Sequence, residues 1–516
     1  MDVNGETSGG FRGKAEDMAE KRQQGGRRMV RTYLDEASWG DENFLDIEAA
    51  KSRKERRQLP EGCRSQVLYS DILRIAWPSM VELFLASLCG MADMIMVGSM
   101  ANGDDAISAV SLSNQPKFIF ISLIMALNVG VTATVARARG AEEHERSNEA
   151  LRQGLFFCLL VCVFASVVGY IFARPLTVFM ANSGLSEEVI GMSTTYLKVQ
   201  MIGFATMGIA ATYTAALRGS GNTTLPMVYN IIANIVNIIL NYLLINGHFG
   251  FPAWGVFGAS VATVLGQAVS MIIAIVANGS GRFYFSVKIT DFLHGFKPDI
   301  PIIRNIAKVG IPSLGEQFLM RVGFILFGRQ VATLGQPYYA THNICMNIQS
   351  MSFMLGQAMA VSSTTLVGQS LGKRRSDLAE HYSRRCERLG LLLAVILGTF
   401  FAVCNQWLVG LYSDTPAVLA AALPVMILIG VLQPIQIPQF VLSGALRGAG
   451  DTKSTALVTM VGILILRPVM GHLFINILRA GLMGAWIAIA IDQVVRTGLV
   501  MGIYASGKWK RIKMKI

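Results

Sequence analysis

Long apolar stretches recur along this chain from Ser70 almost to its end, and short polar segments separate them. A helix of about 20 apolar residues crosses a hydrocarbon layer of about 30 Å. The pattern predicts twelve such spans, which begin near residues 70, 105, 150, 188, 222, 256, 300, 338, 385, 416, 453 and 481. We therefore expect an all-helical, polytopic membrane protein rather than a soluble domain.

The composition supports a membrane protein. Hydrophobic residues make up 52% of the chain and charged residues only 15%, whereas soluble domains carry about 25% charged residues. The seven cysteines have no metal-ligand spacing, so we expect them to be packing residues. Because the sequence has no histidine pair, nucleophile triad or metal-ligand spacing, we expect neither an enzyme nor a bound cofactor.

The polar segments alternate in charge along the chain. One set carries the basic residues Arg137, Arg139, Arg146, Arg152, Arg282, Lys288, Lys297, Lys373, Arg374, Arg375, Arg384 and Arg385. The other set, which includes segments 103–105 and 335–337, has no Lys or Arg. Cytoplasmic loops of membrane proteins retain basic residues. The pattern therefore predicts that the chain lies in the cell inner membrane and that both of its termini are cytoplasmic. The net charge of +12 is then a topology signal, and no nucleic acid partner is expected.

Three motifs occur once in each half of the chain. Pro-x-x-x-Glu begins at Pro78 and Pro312, Leu-Arg-Gly-x-Gly-x-Thr at Leu217 and Leu446, and Gly-x-x-Gly-Ala at Gly255 and Gly481. Corresponding motifs lie 226 to 234 residues apart, which is the length of six spans with their loops. Six spans return the chain to its starting side. We therefore predict two parallel repeats with a substrate cavity between them.

The repeat sets the predicted domain boundaries. Residues 1–65 form a polar cytoplasmic tail, which is expected to be disordered. The N-lobe of six helices covers residues 66–279, and a cytoplasmic linker covers 280–299. The C-lobe of six helices covers residues 300–507, and a basic cytoplasmic tail follows at 508–516.

The glycine-rich segment 219–223 could be mistaken for a phosphate-binding loop. No strand precedes it and no Lys-Ser/Thr pair closes it, so it does not match the nucleotide-binding pattern. A tight turn between two helices is the expected structure. Without a nucleotide site, transport would draw its energy from an ion gradient.

Together these motifs resemble those of the multidrug and toxic compound extrusion (MATE) family over residues 68–507. The most specific parts are the duplicated Leu-Arg-Gly-x-Gly-x-Thr motif, the Gly-x-x-Gly-Ala motif and the segment Met91-Ala92-Asp93-x-x-x-Val97-Gly98. The resemblance implies an antiporter that works by alternating access, in which a small organic compound, usually a cation, leaves while H⁺ or Na⁺ enters. We expect it to act as a monomer in the lipid bilayer. The alternative is a flippase or exporter of a lipid-linked or anionic metabolite in the same wider fold.

Ionisable side chains within spans are functional candidates because they are costly to bury in a membrane. Glu82 and Asp93 lie eleven residues apart and therefore on one face of span one. The resemblance implies that Asp93 is the coupling carboxylate for H⁺ or Na⁺, with Asn237 and Asn241 of span five and Thr263 of span six beside it. The alternative role for Asp93 is a cap near the outer helix end, and no other metal site is expected.

Span five carries Asn230, Asn234, Asn237 and Asn241 on one stripe. Four amides cannot be satisfied by lipid, so the stripe is expected to face protein or water. Hydrogen bonding between helices is the alternative role for Asn230 and Asn234. Glu82 and Asn234 are candidates to contact the substrate.

Other predicted cavity residues come from three further spans. Glu316 is expected either to contact a cation or to pair with Arg321. Lys117 would favour an anionic substrate if it faced the cavity, and otherwise it is expected to pair with a carboxylate or reach the membrane interface. Met351 and Met354 of span eight are candidates for an adaptable wall, because Met is flexible and polarizable.

Span ten is a candidate hinge. Pro434 and Pro438 each remove a backbone donor and free a carbonyl group of the preceding turn. Asp492 of span twelve, in contrast, is expected to have a structural role as the partner of a basic side chain.

Overall fold

A computed structural model describes residues 64–100, 102–181, 185–281, 283–287, 291, 297–412 and 415–512. This part of the chain is almost entirely helical, which confirms the predicted fold class. Residues 1–63 of the predicted tail, and parts of the predicted linker and of the basic tail, lie outside the described residues. The long helices are α1 Ser65–Gly98, α2 Gly103–Gly140, α3 His144–Ile171, α4 as Glu187–Ile202 and Phe204–Ser220, α5 Thr224–Ile245, α6 Gly255–Gly279, α7 Ile300–Ala332, α8 Gln336–Gly372, α9 Ser376–Val403, α10 Pro416–Ala449, α11 Thr452–Ile477 and α12 Gly481–Ala505.

Nine helices of the described chain are long and apolar enough to cross a membrane, and these are α1–α3, α5, α6 and α9–α12. The other three depart from that pattern for different reasons. Helix α4 is divided at Gly203, while α7 and α8 carry polar residues such as Glu316 and Gln357. All three contribute to a central cavity, where polar side chains avoid contact with lipid.

The duplicated Leu-Arg-Gly-x-Gly-x-Thr motif forms the same turn in both halves. Gly221 and Gly450 end α4 and α10 in the left-handed conformation, with φ of 91° and 87°. Glycine adopts this conformation readily because it has no Cβ. In each turn the backbone N–H after the glycine donates to the carbonyl oxygen of the motif leucine, at 2.9 and 2.8 Å, which closes the helix end. The predicted helix-to-helix turn is therefore confirmed.

Two large hydrophobic clusters lie in the bundle, one formed mainly by each half. In the first half, the core includes Leu151 of α3 and Leu197 of α4. In the second half, Ile429 of α10 packs in a cluster with Trp486 of α12. Large apolar side chains such as Phe164 also cover the outside of the bundle. An extensive exposed apolar surface is the surface that a bilayer would cover.

The two halves contact each other where α2, α4, α8 and α10 end. A Cβ on Gly140 would overlap the carbonyl oxygen of Gln369, so the backbones of α2 and α8 touch directly. The side chain of Gln369 also donates to a backbone carbonyl of the α4 turn at 2.9 Å. Arg137 of α2 donates to the carbonyl oxygen of Ala449 at 3.0 Å. We call this side, which includes the basic segment 373–375, the basic face.

Two helices of the second half depart from regular α-helical geometry. Helix α10 contains Pro434 and Pro438 but remains continuous, so the hinge at these residues stays a prediction. Helix α11 contains π-helical stretches at Met460–Leu466 and Leu473–Ile477, on either side of Arg467. Such stretches disturb the regular hydrogen-bond ladder and change the direction of nearby side chains.

Candidate functional site

A central cavity of about 590 Å³ lies between the two halves. Helices α1, α2, α4, α5 and α6 of the first half and α7, α8 and α10 of the second half form its wall. The charged side chains among the described wall residues are Glu82, Asp93, Glu316, Arg218 and Arg447. The cavity is therefore a place where a solute and an ion could meet charged groups from both halves.

Asp93 anchors one polar cluster of the wall. The amide of Asn241 donates to Asp93 Oδ1 at 2.6 Å. The amide of Asn237, in the orientation that satisfies both of its polar atoms, donates to the same oxygen at 3.0 Å and accepts from the backbone N–H of Thr263 at 3.2 Å. The structure thus brings together the four residues that the family resemblance implied for a cation site.

Oxygen atoms of this cluster are suited to a hard cation. Asp93 lies in the cavity wall, while Asn241 lies behind it and is almost fully buried. The side-chain oxygen of Asn241 accepts no hydrogen bond from any described residue, and such a buried acceptor costs about 1–3 kcal/mol. Na⁺, as a hard cation, prefers carboxylate and carbonyl oxygens, and a proton can bind the carboxylate alone. The donor set therefore fits either ion.

Lys117 does not belong to the cavity wall, whereas Asn234 does. The Lys117 ammonium lies 6.0 Å from the ring centre of Tyr196 and interacts electrostatically with Asp93. Helix α2 thus directs this side chain toward α4 and the edge of the Asp93 cluster. The argument for an anionic substrate, which required Lys117 to face the cavity, loses its support.

Glu82 and Glu316 each pair with the arginine of a duplicated turn. Arg218 Nη2 lies 2.9 Å from Oε2 of Glu82. Arg447 Nη2 lies 2.6 Å from Oε1 of Glu316. Both glutamates are buried, since only 7% of Glu82 and 3% of Glu316 is exposed. The same ion pair therefore occurs once in each half, and both copies reach the cavity wall.

The alternative pair between Glu316 and Arg321 does not form. The two residues are five positions apart on α7, so they point to different sides of the helix. The Arg321 guanidinium instead lies 4.4 Å from the ring centre of Phe118 on α2, which is a favourable cation–π arrangement. The charge partner of Glu316 comes from the distant helix α10.

Uncharged side chains complete both ion pairs at equivalent positions. Asn230 donates to Oε1 of Glu82 at 2.7 Å. Thr455 and Thr459 donate to the two oxygens of Glu316 at 3.1 and 3.3 Å. Thr459 follows the motif in the second half at the distance at which Asn230 follows it in the first. Asn230 is therefore part of the Glu82 network, as its alternative role between helices predicted.

The motif arginines were missed as site residues, because the sequence was interpreted there only as a turn. The motif threonine also reaches the first helix of its own half. Thr223 donates to the carbonyl oxygen of Ile75 at 3.0 Å, and Thr452 donates to that of Val309 at 2.8 Å. Both carbonyls lie three positions before the proline of the Pro-x-x-x-Glu motif. The joint duplication of a buried Glu and a distant Arg was the signal that could have revealed the pairs.

Within the described chain, the second half has no polar counterpart of the Asp93 cluster. By the spacing of the repeat, the positions equivalent to Asp93, Asn237, Asn241 and Thr263 hold Phe327, Leu466, Met470 and Ile489. Asp492 is fully buried and accepts hydrogen bonds from Arg467 at 2.5 and 3.0 Å and from Arg496 at 2.8 and 3.2 Å. These three residues do not line the cavity, which agrees with the structural role predicted for Asp492.

Met351 and Met354 do not lie in the cavity wall either. Met351 is 41% exposed, because α8 turns a different face toward the cavity, with Gln357 on it. The methionines that do line the cavity are Met125 and Met207. Met351 and Met354 of span eight are therefore not wall residues of this cavity, contrary to the expectation from the sequence.

Comparisons with known proteins agree with this architecture. A model of the family described as MatE matches residues 78–243 and 312–473, one block in each half. A "Probable multidrug resistance protein NorM" of Thermotoga maritima is 30% identical over 448 residues, which cover 86% of this chain and 93% of that protein. An "Uncharacterized transporter YisQ" of Bacillus subtilis is 25% identical over 439 residues, or 85% of this chain and 94% of that protein.

Solved structures share the fold. One is described as the outward-facing conformation of a multidrug resistance MATE family transporter of the MOP superfamily. It has a TM-score of 0.78 at 21% identity, and the match covers 88% of this chain and 100% of that one. A MOP superfamily transporter from Pyrococcus furiosus gives the same TM-score and coverage at 22% identity. At these identities the likeness concerns the fold alone.

Proposed function

This chain belongs to the MatE family, whose members are transport proteins rather than enzymes, and from that premise we propose that it is a secondary active exporter. Its substrates are small organic compounds, and the entry of H⁺ or Na⁺ along its gradient drives their export. Relatives named as multidrug resistance proteins in several bacteria support an organic substrate.

The observation that carries this proposal is the position of Asp93. Its carboxylate lies in the cavity wall and accepts hydrogen bonds from two buried amides, so it is held in place but can be reached from the cavity. An ion bound there and a solute bound in the same cavity influence each other's affinity, which is the requirement for coupling. We therefore assign Asp93 as the coupling carboxylate, with Asn237, Asn241 and Thr263 as its supporting residues.

The cavity opens alternately to the two sides of the membrane as one lobe moves against the other. The lobes are residues 66–279 and 300–507, and the protein acts as a monomer in the cell inner membrane. The basic face is the cytoplasmic face because basic loops are retained there. Contacts such as those of Arg137 with Ala449 close the cavity on that side and separate when it opens.

The residues of the cavity wall give less support to the alternative of a lipid-linked or anionic substrate. Such a substrate requires basic side chains that are free to bind its phosphate or carboxylate groups. Arg218 and Arg447 are the basic residues among the described wall residues, and each is already paired with a glutamate.

Purified protein in liposomes tests the proposal. The vesicles are loaded with one labelled organic solute at a time, from a panel that spans different charges and includes ethidium, and an inward gradient of H⁺ or Na⁺ is imposed. We expect at least one solute to leave the vesicles faster when either the H⁺ gradient or the Na⁺ gradient is imposed. Asp93→Asn should abolish this dependence, while Asp104→Asn, at an exposed position of α2, should preserve it. Coupled export by Asp93→Asn at the wild-type rate would refute the role of this carboxylate.

A further inference from the structure

We propose that residues 508–512, the short segment after α12, act as a latch that holds the cavity closed on the basic face. We call this segment the strap. The proposal rests on the alternating access of the proposed function and adds a form of regulation to it. Three features carry it: the anchoring of the strap on the second half, its hydrogen bond to a buried arginine of the first half, and the comparison with the equivalent position of the repeat.

The strap turns back onto the second half directly after α12. Gly507 adopts the left-handed conformation, with φ of 68°, and its backbone N–H donates to the carbonyl oxygen of Tyr504 at 3.2 Å. The chain therefore leaves the helix axis at this glycine. The Trp509 ring then stacks on that of Tyr504 at a distance of 5.0 Å between ring centres, and its indole N–H donates to the carbonyl oxygen of Tyr504 at 2.9 Å.

Trp509 and Lys510 anchor the strap. Only 1% of Trp509 is exposed, and it belongs to a hydrophobic cluster with Val367 of α8 and Leu446 of α10. Lys510 Nζ lies 2.8 Å from Oε2 of Glu380 on α9, and both of these side chains are mostly buried. Because a large aromatic ring loses much apolar contact when it leaves such a cluster, the strap should move together with the second half.

Beyond this anchor, the strap contacts the first half. Arg137 of α2 donates through Nη1 to the carbonyl oxygen of Ile512 and through Nη2 to that of Ala449, both at 3.0 Å. Arg137 is only 7% exposed, and no carboxylate of the described chain lies within ion-pair distance of it. A buried guanidinium of this kind depends on the oxygen atoms that replace its water. The strap therefore supplies one of the two acceptors that this charge uses.

The equivalent position of the second half shows what the strap adds. A Cβ on Gly140 would overlap the carbonyl oxygen of Gln369, and a Cβ on Gly372 would overlap that of Arg137. In both pairs, Gly140 with Gly372 and Arg137 with Gln369, the two residues lie 232 positions apart, so they are equivalent positions of the repeat. Gln369 donates to the carbonyl oxygen of Gly219, in the turn of the first half, at 2.9 Å. Arg137 reaches the turn of the second half in the same way.

Each half thus donates one side chain to the turn of the other half. The neutral Gln369 stops there, whereas the charged Arg137 also donates to the strap. The strap therefore adds a charge-assisted hydrogen bond to the closed arrangement of the basic face. Since Trp509 holds the strap on the second half, this bond must break when the halves separate. A bond that exists only in the closed arrangement shifts the equilibrium toward it.

The accessibility of Cys89, which lines the cavity, tests the latch. A variant that keeps Cys89 as its single cysteine is treated, in membrane vesicles, with an impermeant thiol reagent applied to the basic face. We expect Trp509→Ala to raise the rate of labelling about fivefold, as the loss of one hydrogen bond from the closed arrangement predicts. The labelling requires no transported solute. Unchanged labelling would therefore overturn the latch and leave the export function intact, whereas failure of every solute to move would count against the export function alone.

A second substitution separates the latch from a general loss of packing. Arg137→Gln makes this position identical to Gln369 and leaves one donor group in place of two. We expect Trp509→Ala to change the labelling rate less than about twofold in this background, because the strap has already lost its partner. If Trp509 only supported the packing of the second half, the same increase would occur in both backgrounds, and the proposal would be overturned.

Lys510 allows a milder release of the strap with a matched control. Lys510→Ala removes the ion pair with Glu380, which keeps Arg384 as a partner. We expect labelling of Cys89 to become about threefold faster, in line with the small energy of a single ion pair. Lys508→Ala, at an exposed position of the same strap, should leave the rate unchanged. Equal rates in the two lysine variants, at a normal yield of inserted protein, would contradict the anchoring of the latch through Lys510.

Discussion

The side-chain amide of Asn241 donates to Oδ1 of Asp93 at 2.6 Å, so these two residues of α5 and α1 form the closest polar contact of the Asp93 cluster. The other atom of the same amide is a buried oxygen without a donor among the described residues. Asn241 therefore contributes a hydrogen bond to the carboxylate and, in addition, an oxygen that can approach a cation.

Replacement of this amide by a carboxylate should change how the ion is bound. Asn241→Asp places two carboxylates side by side, and like charges at this distance retain a shared proton or cation more tightly. We expect the ion affinity to rise about tenfold or more and the turnover of export to fall. The measurement is ²²Na⁺ binding by the purified protein at several pH values, together with the export rate. Asn246→Asp, near the end of α5, is the control, and an unchanged affinity in Asn241→Asp would place the ion elsewhere.

Glu316 and Arg447 should depend on each other for stability. Glu316→Gln leaves the Arg447 guanidinium unpaired in a mostly buried position, which costs up to about 3–5 kcal/mol. We expect a clear drop in the melting temperature of the purified protein, and substantial recovery when Arg447→Gln is added. If the double variant were as unstable as the single one, the pair would not be the reason for the loss.

Close contact between the halves at the basic face should require glycine. Gly140→Ala places a Cβ against the carbonyl oxygen of Gln369, so the closed arrangement of the basic face is destabilised. Cys89 lines the cavity and can report this change in a variant that keeps it as the single cysteine. We expect an impermeant thiol reagent applied from the basic face to label Cys89 several-fold faster. Gly328→Ala, where a Cβ meets open space, should have no effect, and equal labelling of the two variants would contradict the closure.

The prolines of α10 should affect motion more than insertion. Pro434→Ala with Pro438→Ala restores two backbone donors and stiffens the helix. We expect a normal yield of inserted protein and slower export in the liposome assay. A wild-type export rate in this double variant would contradict a hinge at these two prolines of α10.

Local patterns predicted a large part of the fold. The spans follow from apolar runs of the length that a bilayer requires, and the repeat follows from three duplicated motifs. The grouping of Asp93 with Asn237, Asn241 and Thr263 followed from the family resemblance, and the structure places these four residues together. Their functional role stays a prediction.

Contacts between helices distant in sequence were harder to predict. Lys117 and Met351 lie in the spans expected of them, but their side chains do not reach the cavity wall. A span of apolar residues can rotate about its axis with little change in its local pattern, because lipid and protein interior are both apolar. Neighbouring helices therefore decide which side chains meet.

The sequence by itself determined that this protein is a helical membrane protein with two related halves, because length, apolarity and duplication are properties of single segments. Only the tertiary structure decided that Arg218 pairs with Glu82 and Arg447 with Glu316, across 136 and 131 positions of the chain. It also decided that the wall of the cavity is rich in amides and poor in aromatic groups. These features depend on how far each helix is turned and which helix lies beside it, and packing of the whole bundle sets both.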